Sequence, residues 1–128
     1  MKTFTFKYNP SEPKLSSRIK DATSGKPYVR PNELVSTSLK AMFQLATEAR
    51  LELFEAIVRL KPSSVYALAE QIGKSQPYIL KEVRTLESIG LIQLIKELDG
   101  NREKLRPVAL YSNIVIDCGF DSTQKEAS

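Results

Sequence analysis

Two serines, two glycines and a proline confine residues 64–92 to a narrow set of folds. Ser64 opens a helix, because its hydroxyl can accept from one of the orphan N–H groups of the first turn. Val65, Leu68, Ala69 and Ile72 then recur at helical spacing and form an inner face. Gly73 supplies a sharp turn that a side chain would resist. Ser75 caps a second helix, with Pro77 in its first turn, where a missing N–H is harmless. Ile79, Val83, Leu86 and Ile89 point inward, and Gly90 ends the helix. Residues 91–98 read as a strand, and Asp99-Gly100-Asn101 is a hairpin turn signal. Residues 102–110 return as a second strand, which Pro107 places at an edge or a bulge. Leu94, Ile95 and Leu98 are the positions expected to pack this hairpin back onto the helices.

The flanks are plainer. Residues 2–8 alternate, with Phe4, Phe6 and Tyr8 on one face, which predicts a half-buried strand. Residues 9–31 carry Asn9-Pro10, Ser24-Gly25 and Lys26-Pro27 as breakers and read as a connecting arm, with at most a short helix around Leu15 and Ile19. Leu34, Val35, Leu39, Met42, Phe43 and Leu45 predict a helix over residues 33–46. Thr47 caps the next helix, Glu48 suits its dipole, and Lys61-Pro62 ends it. Ile114-Val115-Ile116 predicts a last strand before the polar tail. The expected division is an N-terminal strand and basic arm over 1–32, one domain over 33–120, and a tail over 121–128. The expected class is α+β, mainly helical, with an N-terminal and a C-terminal strand.

Burying Ile79, Val83 and Leu86 turns Gln76, Tyr78, Lys81, Arg84 and Thr85 outward on the second helix, with Ser75 and Pro77 at its start. A capped helix, a glycine turn, a second helix and a hairpin are the layout of a helix-turn-helix with a wing, whose second helix can enter a DNA major groove. Gln can bond adenine N6 and N7, and Lys can donate to guanine O6 and N7. Tyr78 and Thr85 can touch phosphate or a thymine methyl. Lys74, Arg84 and the helix's first N–H groups can hold phosphates. On the wing, Arg102, Lys104 and Arg106 alternate to one face. That face suits the phosphate backbone or minor groove, or simply guards an edge strand by charge.

Composition narrows the function further. The net charge is +4, but residues 1–30 hold seven cations against Glu12 and Asp21, which leaves −1 for the rest. Bulk charge therefore does not carry DNA affinity outside the arm. The chain contains no histidine, the commonest general base and metal ligand, and its single Cys118 lacks an activating partner. No phosphate-binding loop occurs, since Ser24-Gly25-Lys26-Pro27 is too short to be one. An enzyme, a metal site and a cofactor are all unexpected. Without a signal peptide or a membrane-length apolar run, and with one cysteine, the expected compartment is a reducing cytoplasm.

Over residues 47–117 the chain resembles prokaryotic winged helix-turn-helix transcriptional regulators of the broad MarR-like kind. It is most similar to a group of small archaeal and bacterial DNA-binding proteins that act as antitoxins in toxin–antitoxin modules. Residues 50–57 (RLELFEAI), 67–74 (ALAEQIGK) and 83–92 (VRTLESIGLI) carry the likeness, with Arg106-Pro107 and Tyr111 to Ile116 completing it. The chain departs from that pattern at Leu80, where a basic or polar residue is common, and at Pro77-Tyr78, so no operator sequence transfers.

The resemblance implies a homodimeric autorepressor bound to double-stranded DNA, or an antitoxin that neutralises a cognate toxin, with or without DNA binding. The expected DNA contacts are Lys74, Ser75, Gln76, Pro77, Tyr78, Lys81, Arg84, Thr85, Arg102 and Lys104. Helix 33–46, the N-terminal strand paired with the strand at Ile114 to Ile116, or both would form the dimer. The arm would wrap a partner or enter a minor groove through Lys20, Lys26 or Arg30.

Overall fold

The computed structural model describes residues 2–10 and 28–120, so most of the arm and the tail lie outside it. In chain order the elements are β1 (Thr3–Tyr8), β2 (Tyr28–Arg30), β3 (Glu33–Ser36), α1 (Leu39–Leu45), α2 (Glu48–Leu60), α3 (Val65–Ile72), α4 (Gln76–Ile89), β4 (Ile92–Asp99), β5 (Arg102–Ala109) and β6 (Asn113–Asp117). The architecture is mixed α/β. Contacts divide the described residues into two units: 2–3 with 47–113, and 4–10 with 28–46 and 114–120. Among the described residues, no helix is long and apolar enough to cross a membrane.

Hydroxyl caps open the three helices of the first unit. Thr47 Oγ1 accepts from the Arg50 N–H at 3.2 Å, Ser64 Oγ from Ala67 at 3.0 Å, and Ser75 Oγ from Tyr78 at 3.3 Å. All three helices end on a left-handed residue, Lys61, Gly73 or Gly90. Their inner faces meet in a core of Leu53, Phe54, Ile57, Val65, Leu68, Ile79, Val83, Leu86 and Ile89, joined by Leu91 and Ile92. Each such side chain contributes about 1.5–3 kcal/mol on burial. A polar contact joins α2 to α4 within this packing: Arg50 Nε donates to Glu82 Oε1 at 2.8 Å, with both side chains largely buried.

Strands β4 and β5 pair antiparallel, with Asp99 opposite Arg102 and Ile92 opposite Ala109. The two-residue turn is Gly100-Asn101. Only Gly100 has a positive φ, the combination of a type II′ hairpin. This register corrects one expectation. Ile92, Leu94, Pro107 and Ala109 share the face that packs inward, so Leu94 is half-buried there while Ile95 lies on the opposite face beside Arg106. Leu98, expected to pack on the helices, is 75% exposed.

The second unit is built on a sheet of order β2-β3-β1-β6, with β1 parallel to β3 and β2 antiparallel to it. Asn32, at φ +58°, turns the chain between β2 and β3, a conformation asparagine tolerates better than most residues. Phe4 and Phe6 are buried with their rings edge-on, and Leu34, Val35, Met42 and Ala46 are buried as well.

The helix expected over residues 33–46 is corrected here. Glu33–Ser36 is a strand, and only Leu39–Leu45 is helical. Leu34 and Val35 fit a helical stripe equally well, but backbone pairing on both sides of β3 decides for the strand. Buried Ser36 marks the switch. Its hydroxyl donates to the Ser38 carbonyl at 2.6 Å and accepts from the Ser38 N–H at 3.1 Å, and Ser38 then caps α1. Val35 and Met42, expected to help form a dimer surface, are therefore core, whereas Phe43 is 45% exposed. Strands β1 and β6 are neighbours within one chain, so that pairing is intramolecular.

Candidate nucleic-acid interface

The turn that aims α4 is short. The Gly73 N–H reaches the Glu70 carbonyl and the Lys74 N–H the Ala69 carbonyl, with Gly73 at φ +73°. From there α4 runs 14 residues and buries Ile79, Glu82, Val83, Leu86 and Ile89. At about 100° per residue, the arc opposite these centres on Pro77, Lys81, Arg84 and Ser88. Lys74, Ser75, Gln76, Pro77, Tyr78, Lys81 and Arg84 are exposed and Thr85 is half-buried. Among the described residues, Lys74, Lys81 and Arg84 make no ion pair. Two hydroxyls are directed to the helix itself: Thr85 Oγ1 donates to the Lys81 carbonyl at 3.3 Å, and Ser88 Oγ to the Thr85 carbonyl at 2.7 Å.

The expected contact residues do not form one uniform patch. Gln76 lines a cleft of about 500 Å³ on the hairpin side, together with Tyr66, Leu80, Asp99, Arg102 and Lys104. Lys74 and Tyr78 line a groove of about 320 Å³ on the α2 side, where Glu52, Glu55 and Arg59 also stand. Lys81 and Arg84 line neither and form the ridge between the two. Glu52 and Glu55, both exposed, set negative charge beside the Lys74–Tyr78 end.

The hairpin register decides what its cations can do. Arg102, Lys104 and Arg106 do share one face, but Asp99 stands opposite Arg102 and Glu97 opposite Lys104. Glu97 also accepts from Arg106 Nε at 3.1 Å. Three cations and two carboxylates leave that face only weakly positive. Tyr66 is a further feature the sequence reading missed. Its hydroxyl donates to Glu70 Oε2 at 3.1 Å, and this bond and the charge of Glu70 hold its pKa above the usual tyrosine value, against the opposing pull of Arg102. The tie between Arg50 and Glu82, 32 residues apart, was also missed and has no local signal. Glu87 Oε2 accepts the Leu94 N–H at 3.1 Å and fastens the hairpin to α4.

Chemically, the surface offers, among the described residues, two cations without an ion pair on a convex helix ridge, an exposed amide at its N-terminal end and the Gln76 N–H left free in its first turn. Among the described residues, no group of three or more His, Cys, Asp or Glu is arranged to hold a metal ion. No curated protein matches the chain. The HVO_A0114 family model matches residues 45–116, more than half of the 128. The matched segment nearly coincides with the unit over 47–113. The chain belongs to the HVO_A0114 family.

Proposed function

We propose that this member of the HVO_A0114 family is a sequence-specific regulator that binds double-stranded DNA, and that residues 47–113 are a winged helix-turn-helix with α4 as its reading helix. The observation that carries the reading is the exposed ridge of α4, a helix with a capped N-terminus, where Lys81 and Arg84 make no ion pair among the described residues. A convex helix of this kind fits the major groove. In this reading Gln76 and Lys81 address base edges, and Arg84, Lys74 and the Gln76 N–H hold phosphates. The half-neutralised hairpin adds orientation more than affinity. A homodimer on a palindrome compounds the short site that one copy reads, in keeping with a repressor.

The test is fluorescence anisotropy on the chain's own upstream promoter DNA and on a scrambled duplex, at two salt concentrations. Tight promoter-preferring binding with a steep salt slope supports the reading. Weak binding, equal on both duplexes, overturns it.

One observation favours a second reading, an antitoxin that neutralises a partner toxin by protein contact. A largely apolar cleft of about 580 Å³, lined by Ile57, Val58, Pro62, Pro107, Val108 and Leu110, includes no residue of α4. DNA bound on α4 leaves it unused. Co-expression with the neighbouring gene's product tests it: a complex that Leu110→Glu dissolves supports this role, and absence of a complex removes it.

A further inference from the structure

We infer that β6 is a self-pairing edge, through which two copies of this chain join their sheets across a two-fold axis at Val115. The two edges of the four-stranded sheet differ. Strand β2 is three residues long and is followed by Pro31, features that discourage added strands. Strand β6 is five residues long, with Ile114, Val115 and Ile116 uninterrupted by lysine or proline. Successive residues of a strand point to opposite faces. Val115 at 41% and Ile116 at 39% exposure therefore leave apolar surface on both faces of the same edge. A partner laid on one face covers only one of them, whereas a strand added in plane covers both.

The order of residues selects a second copy as that strand. In an antiparallel pair, positions whose numbers share a constant sum stand opposite each other. With Val115 on the axis, Ile114 faces Ile116, and Asn113 faces Asp117; Asn113 Nδ2 already donates to Thr3 Oγ1 and Asp117 Oδ1 already accepts from the Gly119 N–H, which leaves the second amide hydrogen and Oδ2 to pair across the axis. The two Asp117 carboxylates fall at opposite ends of the pair. An axis at Ile114 sets Asn113 against Val115, and an axis at Ile116 sets Asp117 against Val115. Only the register on Val115 matches polar with polar and apolar with apolar. Such an isologous contact closes on itself and does not propagate. The inference names a surface and does not depend on DNA binding. Its assays contain no DNA, so either idea can fail alone.

The full-length chain is measured by sedimentation equilibrium over about 5–200 µM, a range suited to a small interface. Association toward twice the 14.4 kDa chain mass is expected. Val115→Lys places a charge on each copy at the axis and is expected to weaken association about tenfold or more, with an unchanged thermal melt. In a Cys118→Ser background, Val115→Cys is expected to form a covalent dimer on mild oxidation. Opposed Cα atoms lie about 4.5–5.5 Å apart, within disulfide reach. Ile114→Cys alone is expected to form no covalent dimer, but to cross-link when mixed with Ile116→Cys. A monomer throughout the range overturns the inference. So does a dimer that Val115→Lys leaves intact, or cross-linking with no preference for these positions.

Discussion

Removing Glu82 is the most informative perturbation of this fold. Its carboxylate meets Arg50 Nε at 2.8 Å, with side-chain exposures of 11% for Glu82 and 18% for Arg50. Truncating one partner of a buried pair typically costs about 3–5 kcal/mol, because the other charge loses part of its compensation while staying out of water. Here the guanidinium keeps some contact with water and its other interactions, which discount the penalty, and we expect Glu82→Ala to lose about 2–3 kcal/mol. At roughly 4–8 °C per kcal/mol for a domain of this size, the melting temperature falls by about 10 °C or more. Replacing both partners by apolar residues, Arg50→Met with Glu82→Leu, removes both charges together and is expected to return stability to within about 1 kcal/mol of the parent. Urea denaturation followed by circular dichroism reads Glu82→Ala, the single variant Arg50→Met and the double variant at constant m-value. The reasoning is refuted if Glu82→Ala costs less than about 0.5 kcal/mol, or if the double variant loses as much as the single ones combined.

Lys81→Ala is expected to lose about 1–3 kcal/mol on the specific site and to relax preference there, if Lys81 reads a base. Equal loss on random DNA reassigns it to phosphate. Arg84→Ala is expected to weaken all sequences alike and to reduce the logarithmic salt slope by about 1, read by anisotropy titrations. Gly73→Ala meets open space but a φ of +73°, so backbone strain alone should destabilise by about 1–2 kcal/mol in a thermal melt. Tyr66 should titrate above the usual tyrosine value, because ionisation opposes its bond to Glu70. The stabilisation from that contact is present below the ordinary pKa and is lost as pH rises through the raised one. In difference absorbance against Tyr66→Phe, Glu70→Gln should bring the titration back down, and an unmoved titration would rule out the bond in solution.

Short-range physics made residues 47–110 legible. Thr47, Ser64 and Ser75 cap where a hydroxyl meets a free N–H three residues on, and Gly73 and Gly90 end helices because left-handed backbone suits glycine. The inward stripe of α4 follows from the helical period, and with it the outward ridge of Lys81 and Arg84. What tertiary structure alone decided rests on partners far along the chain. Leu34 and Val35 satisfy a helical stripe as well as a strand, and β1 and β2, pairing with β3 from either side, settle the choice. The contact of Arg50 with Glu82 spans 32 residues and leaves no trace in local spacing. The hairpin's cations were visible, but their neutralisation was not. Whether Glu97 and Asp99 face Lys104 and Arg102 depends on which two residues form the turn, and a shift of one residue exchanges the faces. Sequence determined which side chains can leave the core, because that depends on neighbours within a helical turn. Tertiary structure decided what each exposed charge stands beside, because that depends on how distant segments pair.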